Sequence, residues 1–178
     1  MYNFVAIDFE TATGYPSSAC SVGIVTVTNG IITDEYQAFC QPPDNEYWYN
    51  NICVHGITPD MTEEIPGFHA IYPEVKKRLF GQVVVAHNEA FDRNVLKEVM
   101  RMYQLDYDEL EIGKRWECTC KIYRSMGYKP ASLNACCERN NIELNHHEAL
   151  SDARGCALLY LKYLEKKFPL FGEEYSKR

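Results

Sequence analysis

The stretch Phe4-Val5-Ala6-Ile7-Asp8-Phe9-Glu10-Thr11 decides the fold. It is an apolar run interrupted by two carboxylates, and it predicts a buried β-strand over residues 2–9. Side chains two apart on a strand leave the same face. Asp8 and Glu10 therefore aim at one point, with Phe9 turned the other way. Two bare anions held together beside a core are costly to bury. A divalent cation would neutralise them, since hard cations take carboxylate oxygens. The bland alternative is a solvated pair past the strand end, and a lone Asp-x-Glu does not separate the two.

Working outward, residues 11–18 read as a loop. Strands follow at 21–27 and 31–39. Asn29-Gly30 lies between them, a type I′ hairpin signal that makes them antiparallel. Residues 41–58 read as a long loop carrying Pro42-Pro43, the aromatic run Tyr47-Trp48-Tyr49, and Val54-His55-Gly56-Ile57-Thr58. The aromatic run either stacks bases of a single strand or pins the loop, with pinning favoured.

Helical spacing of Phe68, Ile71, Tyr72, Val75 and Leu79 predicts a helix over 67–80, ended by Gly81. The apolar run 83–86 reads as a strand buried on both faces. His87-Asn88 leads into a helix reaching about residue 103. In it Phe91, Val95, Leu96, Val99 and Met100 point inward and Asn88 is the N-cap. A short strand at 115–117 and helices at 119–126, 132–140 and 148–166 complete the pattern. The order predicts an α/β fold, a mixed β-sheet with three antiparallel strands first, flanked by α-helices. One domain spans 1–167, and 168–178 form a C-terminal tail that frays.

With 178 residues the chain can bury a full core. Its 46% hydrophobic and 24% charged residues are those of an ordinary globular protein, and no apolar run is long enough to span a membrane. The N-terminus lacks the basic start and apolar core of a signal peptide, so a cytoplasmic location is expected. The eight cysteines lack paired C-x2-C spacing and are expected as free thiols, not zinc ligands. A net charge of −7 argues against tight nonspecific duplex binding, which needs a basic face. A nucleic-acid enzyme stays open, because metal ions can supply positive charge locally.

Two further acidic sites fall where an α/β sheet presents ligands. Asp92 follows the buried strand within His87-Asn88-Glu89-Ala90-Phe91-Asp92. Asp152 closes His147-Glu148-Ala149-Leu150-Ser151-Asp152 at the start of the last helix. Alone, each is an acid favoured by a helix N-terminus. Together with Ile7-Asp8-Phe9-Glu10-Thr11 and Val54-His55-Gly56-Ile57-Thr58, they resemble the DEDDh 3′–5′ exonucleases. That DnaQ-like group contains the proofreading epsilon subunit of bacterial DNA polymerase III and ribonuclease T. The resemblance runs from about residue 2 to 166. Cys118-Thr119 stands where relatives often show Asp-Thr, and Ser151 stands where many have an acid.

The resemblance implies a ribonuclease H-like fold and a metal-dependent 3′–5′ exonuclease. In it Asp8, Glu10, Asp92 and Asp152 hold two Mg2+ or Mn2+ ions, and His147 is the general base for the attacking water. Phe9, Thr11, His55 and Phe91 would line the terminal nucleotide's pocket. For Phe9 and Phe91 plain core packing is an equal alternative. The implied substrates are 3′ ends of single-stranded DNA or RNA, released as nucleoside 5′-monophosphates. DNA is slightly preferred, with a proofreading or repair role, and an RNA-directed enzyme or an end-binding module is the alternative. The chain ends soon after its last helix, without an extension to hold a polymerase. A stand-alone or homodimeric enzyme is therefore expected.

Overall fold

The computed structural model describes residues 2–112 and 116–168. Five strands form one mixed sheet in the order β3-β2-β1-β4-β5. They are β1 (Phe4–Thr11), β2 (Ala19–Thr28), β3 (Ile31–Phe39), β4 (Val84–Ala86) and β5 (Trp116–Cys118). The first three pair antiparallel, and β4 and β5 add in parallel beyond β1. Asn29 and Gly30 take φ of 56° and 81°, as the hairpin turn requires. The helices are α1 (Tyr49–His55), α2 (Pro59–Thr62), α3 (Phe68–Leu79), α4 (Glu89–Met102), α5 (Thr119–Ser125), α6 (Leu133–Arg139) and α7 (Ala149–Lys167).

Strand alternation sorts the core into two layers. Val5, Ile7 and Phe9 pack with residues of α3 and α4, among them Val75, Leu79, Val95 and Leu96. Phe4 and Ala6 pack on the opposite face against Ala153, Cys156, Ala157 and Tyr160 of α7. Burying a side chain such as Phe4 contributes about 1.5–3 kcal/mol. Asp8 and Glu10 share the parity of Phe4 and Ala6, so they face the α7 side.

Gly23 lets α7 come down onto that side. It pairs with Asp8 across β1 and β2. A Cβ on Gly23 would sit 2.2 Å from the Ala149 carbonyl oxygen. The first turn of α7 therefore rests on bare backbone beside Asp8. Among the described residues, no helix is long and apolar enough to cross a membrane.

Several elements differ from the sequence reading. The first strand is shifted by two residues at each end. Residues 41–58 are not all loop, because Tyr49–His55 is a helix. Its residues are mediocre helix formers. Tertiary bonds hold it: Asn51 Nδ2 donates to the carbonyls of Thr11 and Thr13, at 2.8 and 3.2 Å. Asn88 holds the N-cap position of α4 as expected, but its side chain makes no capping bond and its φ of 78° is left-handed. Phe91 does not point inward and is 44% exposed. Arg115, placed in the fifth strand by the sequence, and the tail beyond Phe168 lie outside the described residues.

Candidate active site

The site forms where β1 outruns β4. Strand β4 pairs with β1 at Val5 and Ala6 and ends at Ala86. The Val5 N–H donates to the Val83 carbonyl. The Phe9 N–H, of the same parity, lies past that pairing and donates to Asp92 Oδ1 at 3.0 Å instead. Asp92 thus takes the place of a missing strand carbonyl, and this draws the first turn of α4 to the end of β1.

From the other face, α7 brings Asp152. Ligand oxygens of Asp8, Glu10 and Asp152 lie within 4.8 Å of one another. Asp92 is buried behind them, 1% exposed, close enough to raise the Asp8 pKa by its charge. The four acids scattered through the sequence are therefore together. Asp8, Glu10, Thr11, His55, Phe91, His147 and Asp152 line one open cleft of about 1050 Å³. Phe9 also lines it, although its ring belongs to the core.

Electrostatics make this floor unstable as a set of bare anions. Two unit charges 4 Å apart repel by about 4 kcal/mol at an effective dielectric of 20. Burial, reinforced by the charges of Asp92, Asp152 and Glu10, raises the Asp8 pKa well above the usual carboxylate range. Burial, then the charges of Asp152 and Asp92, pushes Glu10 up to about 8. Burial also pushes Asp92 to about 8, against the lowering effect of the Phe9 N–H. Asp152 is raised by burial and lowered by its contacts with the two histidines before it.

Asp152 carries a direct sign of a missing partner. Its Oδ2 accepts from the His147 N–H at 3.1 Å and lies 2.9 Å from His146 Nδ1. Its Oδ1 is buried and has no hydrogen-bond partner. An oxygen-only donor set with an unpartnered buried carboxylate oxygen fits a hard divalent cation.

The histidines are held separately. His147 takes a left-handed φ of 68°, and its ring stacks on His146 at 3.8 Å between centroids. Burial, then His146 beside it, lowers the His147 pKa below the ordinary imidazole value. On the far side, the Ile57 N–H donates to His55 Nδ1. His55 Nε2 must then carry the proton, and it donates to the Thr11 carbonyl at 3.2 Å. His87 bridges Thr119 Oγ1 and the Ala131 carbonyl, and burial pushes its pKa down to about 4.

Of the aromatic run, Tyr47 bonds Thr62 and Trp48 covers Gly14, where a Cβ would meet its ring at 2.7 Å. Those two pin the loop, while Tyr49 stays 78% exposed. Sequence reasoning missed His146, Asn51 and the wall formed by residues 128–133. The doubled His146-His147 was the one visible signal. The wall has no motif of its own. All eight cysteines are free thiols.

The fold and its site define a class first, the ribonuclease H-like α/β domain with carboxylates at the end of its leading strand. The exonuclease (RNase_T) family model matches residues 5–160. The chain belongs to this family, whose members typically use divalent metal ions. It is similar to the 3′-5′ exonuclease DinG of Staphylococcus haemolyticus, 30% identical over 92% of this chain and 18% of that protein. It is also similar to DNA polymerase III PolC-type of Thermotoga petrophila, 29% identical over 91% of this chain and 12% of that protein. The chain thus spans under a fifth of either relative. Exonuclease X, solved in complex with 5′ overhanging duplex DNA, is 25% identical, with a TM-score of 0.71 and 92% of each chain covered.

Proposed function

We propose that the chain is a 3′–5′ exonuclease that hydrolyses terminal phosphodiesters of single-stranded nucleic acid to nucleoside 5′-monophosphates. The observation that carries this reading is the convergence of Asp8, Glu10 and Asp152 within 4.8 Å, with one Asp152 oxygen unpartnered. The family match supports it, as does the activity in the name of the DinG relative. DNA is the slightly preferred substrate, in keeping with the polymerase relative and the DNA complex of Exonuclease X. A proofreading or repair role accords with the same relatives.

Asp8, Glu10, Asp92 and Asp152 would hold two divalent cations, Mg2+ or Mn2+. When bound, such ions supply positive charge to the scissile phosphate and to the attacking and leaving oxygens. The protein's own groups do the rest. His147 is the base: its lowered pKa keeps the imidazole neutral near pH 7, ready to take the proton of the attacking water. The new bond joins water oxygen to phosphorus, and the bond to the 3′-oxygen of the penultimate nucleotide breaks. That oxygen leaves as a hydroxyl. Phe91, exposed in the cleft, offers a face to the terminal nucleotide. His55, tied to Thr11, closes the pocket's end.

The test is direct. End-labelled single-stranded DNA and RNA are incubated with the protein and Mg2+, Mn2+ or EDTA, and the products are resolved. Stepwise release of 5′-mononucleotides from the 3′ end, stopped by EDTA, is expected. Intact oligomers under both metals would sink the proposal.

A further inference from the structure

The cleft has a second wall that the terminal nucleotide does not need. Its volume of about 1050 Å³ stands at the top of the roughly 300–1,000 Å³ typical of small-ligand pockets. Beyond the acidic floor it runs on to Arg124, Tyr128, Lys129 and Ser132. Several cations elsewhere on the surface are engaged by carboxylates, Lys76 by Glu109, Arg78 by Asp34 and Glu74, Arg101 by Glu98 and Arg154 by Glu35, while Lys97 and Arg139 lie over tyrosine rings. Even Lys121 and Arg93, near this wall, both pair with Glu89. Arg124 and Lys129 are exposed, and among the described residues neither has a carboxylate partner. The Arg124 guanidinium donates to the Cys120 sulfur at 3.5 Å.

The segment 128–131, which carries Lys129, is held by four neighbouring residues. His87 Nε2 lies 3.0 Å from the Ala131 carbonyl. Arg139 donates to the Lys129 carbonyl at 2.8 Å and lies over the Tyr128 ring. Tyr128 packs edge-on against buried Tyr123, and its hydroxyl accepts from Asn140. Two cations without a carboxylate partner thus stand on the wall of a cleft whose floor is acidic, in a chain of net charge −7, and the backbone that carries one of them is held in place.

We infer that this wall, through Arg124 and Lys129 beside Tyr128, is a subsite for the backbone phosphates of nucleotides on the 5′ side of the scissile bond. The inference rests on the exonuclease reading above for the polarity of the strand. Its chemistry is that of a polyanion held by point charges beside an aromatic ring, which gives grip without base specificity. It gives an acidic protein a local hold on a polyanionic strand.

The double variant Arg124→Gln/Lys129→Gln tests this. Binding of a fluorescent single-stranded 12-mer is followed by anisotropy across a salt series. Hydrolysis of the p-nitrophenyl ester of thymidine 5′-monophosphate, which fills only the terminal site, is measured in parallel. The expected result is at least tenfold weaker 12-mer binding and a salt slope shallower by about 1.4, about 0.7 for each lost phosphate contact on a single strand. Hydrolysis of the small ester should change less than twofold. The control Lys162→Gln/Lys166→Gln removes the same charge from α7 and should leave the slope unaltered. Equal 12-mer binding by wild type and double variant overturns the subsite, whatever happens to the ester. So does an equal loss in the control. Failure of the wild type to cleave oligomer or ester, with the binding difference intact, would instead count against the exonuclease reading alone.

Discussion

At the scale of single residues, burial and mutual repulsion set the chemistry of the floor. Asp8 has its pKa raised by burial first and then by four neighbouring acids. Asp8→Asn removes one charge from that group. We expect metal-dependent mononucleotide release to fall at least a hundredfold, while the Tm of the metal-free protein holds or rises. Gel assay and calorimetry on one preparation check both halves, and full activity would refute the metal assignment. His147→Ala should lower kcat by about 10²–10⁴, the usual reach of general base catalysis. Metal binding should persist, because the four carboxylates remain. The wild-type rate should fall as pH drops through the His147 pKa. Burial lowers that pKa, so the fall comes below the ordinary imidazole range. The alanine variant should lose this limb, and an unchanged pH–rate profile would rule out the role as base.

At the scale of elements, two unlike contacts assemble the site. One is polar: the Phe9 N–H, left without a strand partner, draws in Asp92. The other is steric: Gly23 leaves room for the first turn of α7. Gly23→Ala would put a methyl group 2.2 Å from the Ala149 carbonyl oxygen, where backbone must move. Overpacking of this kind costs about 1–3 kcal/mol. The variant should therefore melt lower and lose activity out of proportion, since Asp152 and His147 both ride on that turn. Unchanged Tm and rate would show that α7 does not depend on the glycine. The parity of Asp8 and Glu10 was legible in the sequence because a strand's period is fixed. Helix α1 was not, because its stability comes from Asn51 and His55 reaching the Thr11 carbonyl from forty or more positions away. The left-handed form of the Asn88 N-cap was hidden for a related reason. Asparagine both caps helices and tolerates left-handed backbone, and only the tight β4–α4 turn decides between them.

At the scale of the whole molecule, the acids link stability to pH. Glu10 and Asp92 rise from ordinary values of 4.5 and 3.8 to about 8 in the fold. A carboxyl with a higher pKa in the fold than in the open chain binds its proton more tightly when folded. Its contribution is complete below the open-chain value and is lost as pH rises toward the folded one. The metal-free protein should therefore lose Tm between pH 5.5 and 8.5, by at least the 2–4 °C that about 1 kcal/mol makes in a domain of this size. Mn2+ should restore it, and more strongly at pH 8.5 than at 5.5. A flat or rising metal-free Tm over that interval would contradict the electrostatic account. The antiparallel opening strands and the α/β class followed from hydrophobic periods and turn residues. The cationic wall did not, because Arg124 and Lys129 belong to no pattern and only the fold brings them to the cleft that holds the acids.

The docking of α7 on Gly23 has a further consequence for the timing of synthesis. A ribosome makes Asp8, Glu10 and Asp92 well before it makes His147 and Asp152. A nascent chain stopped at Asn145 would hold three of the acids and neither the imidazole nor the fourth. It should leave labelled oligonucleotide uncut, because the proposed activity has to wait until α7 has emerged and settled.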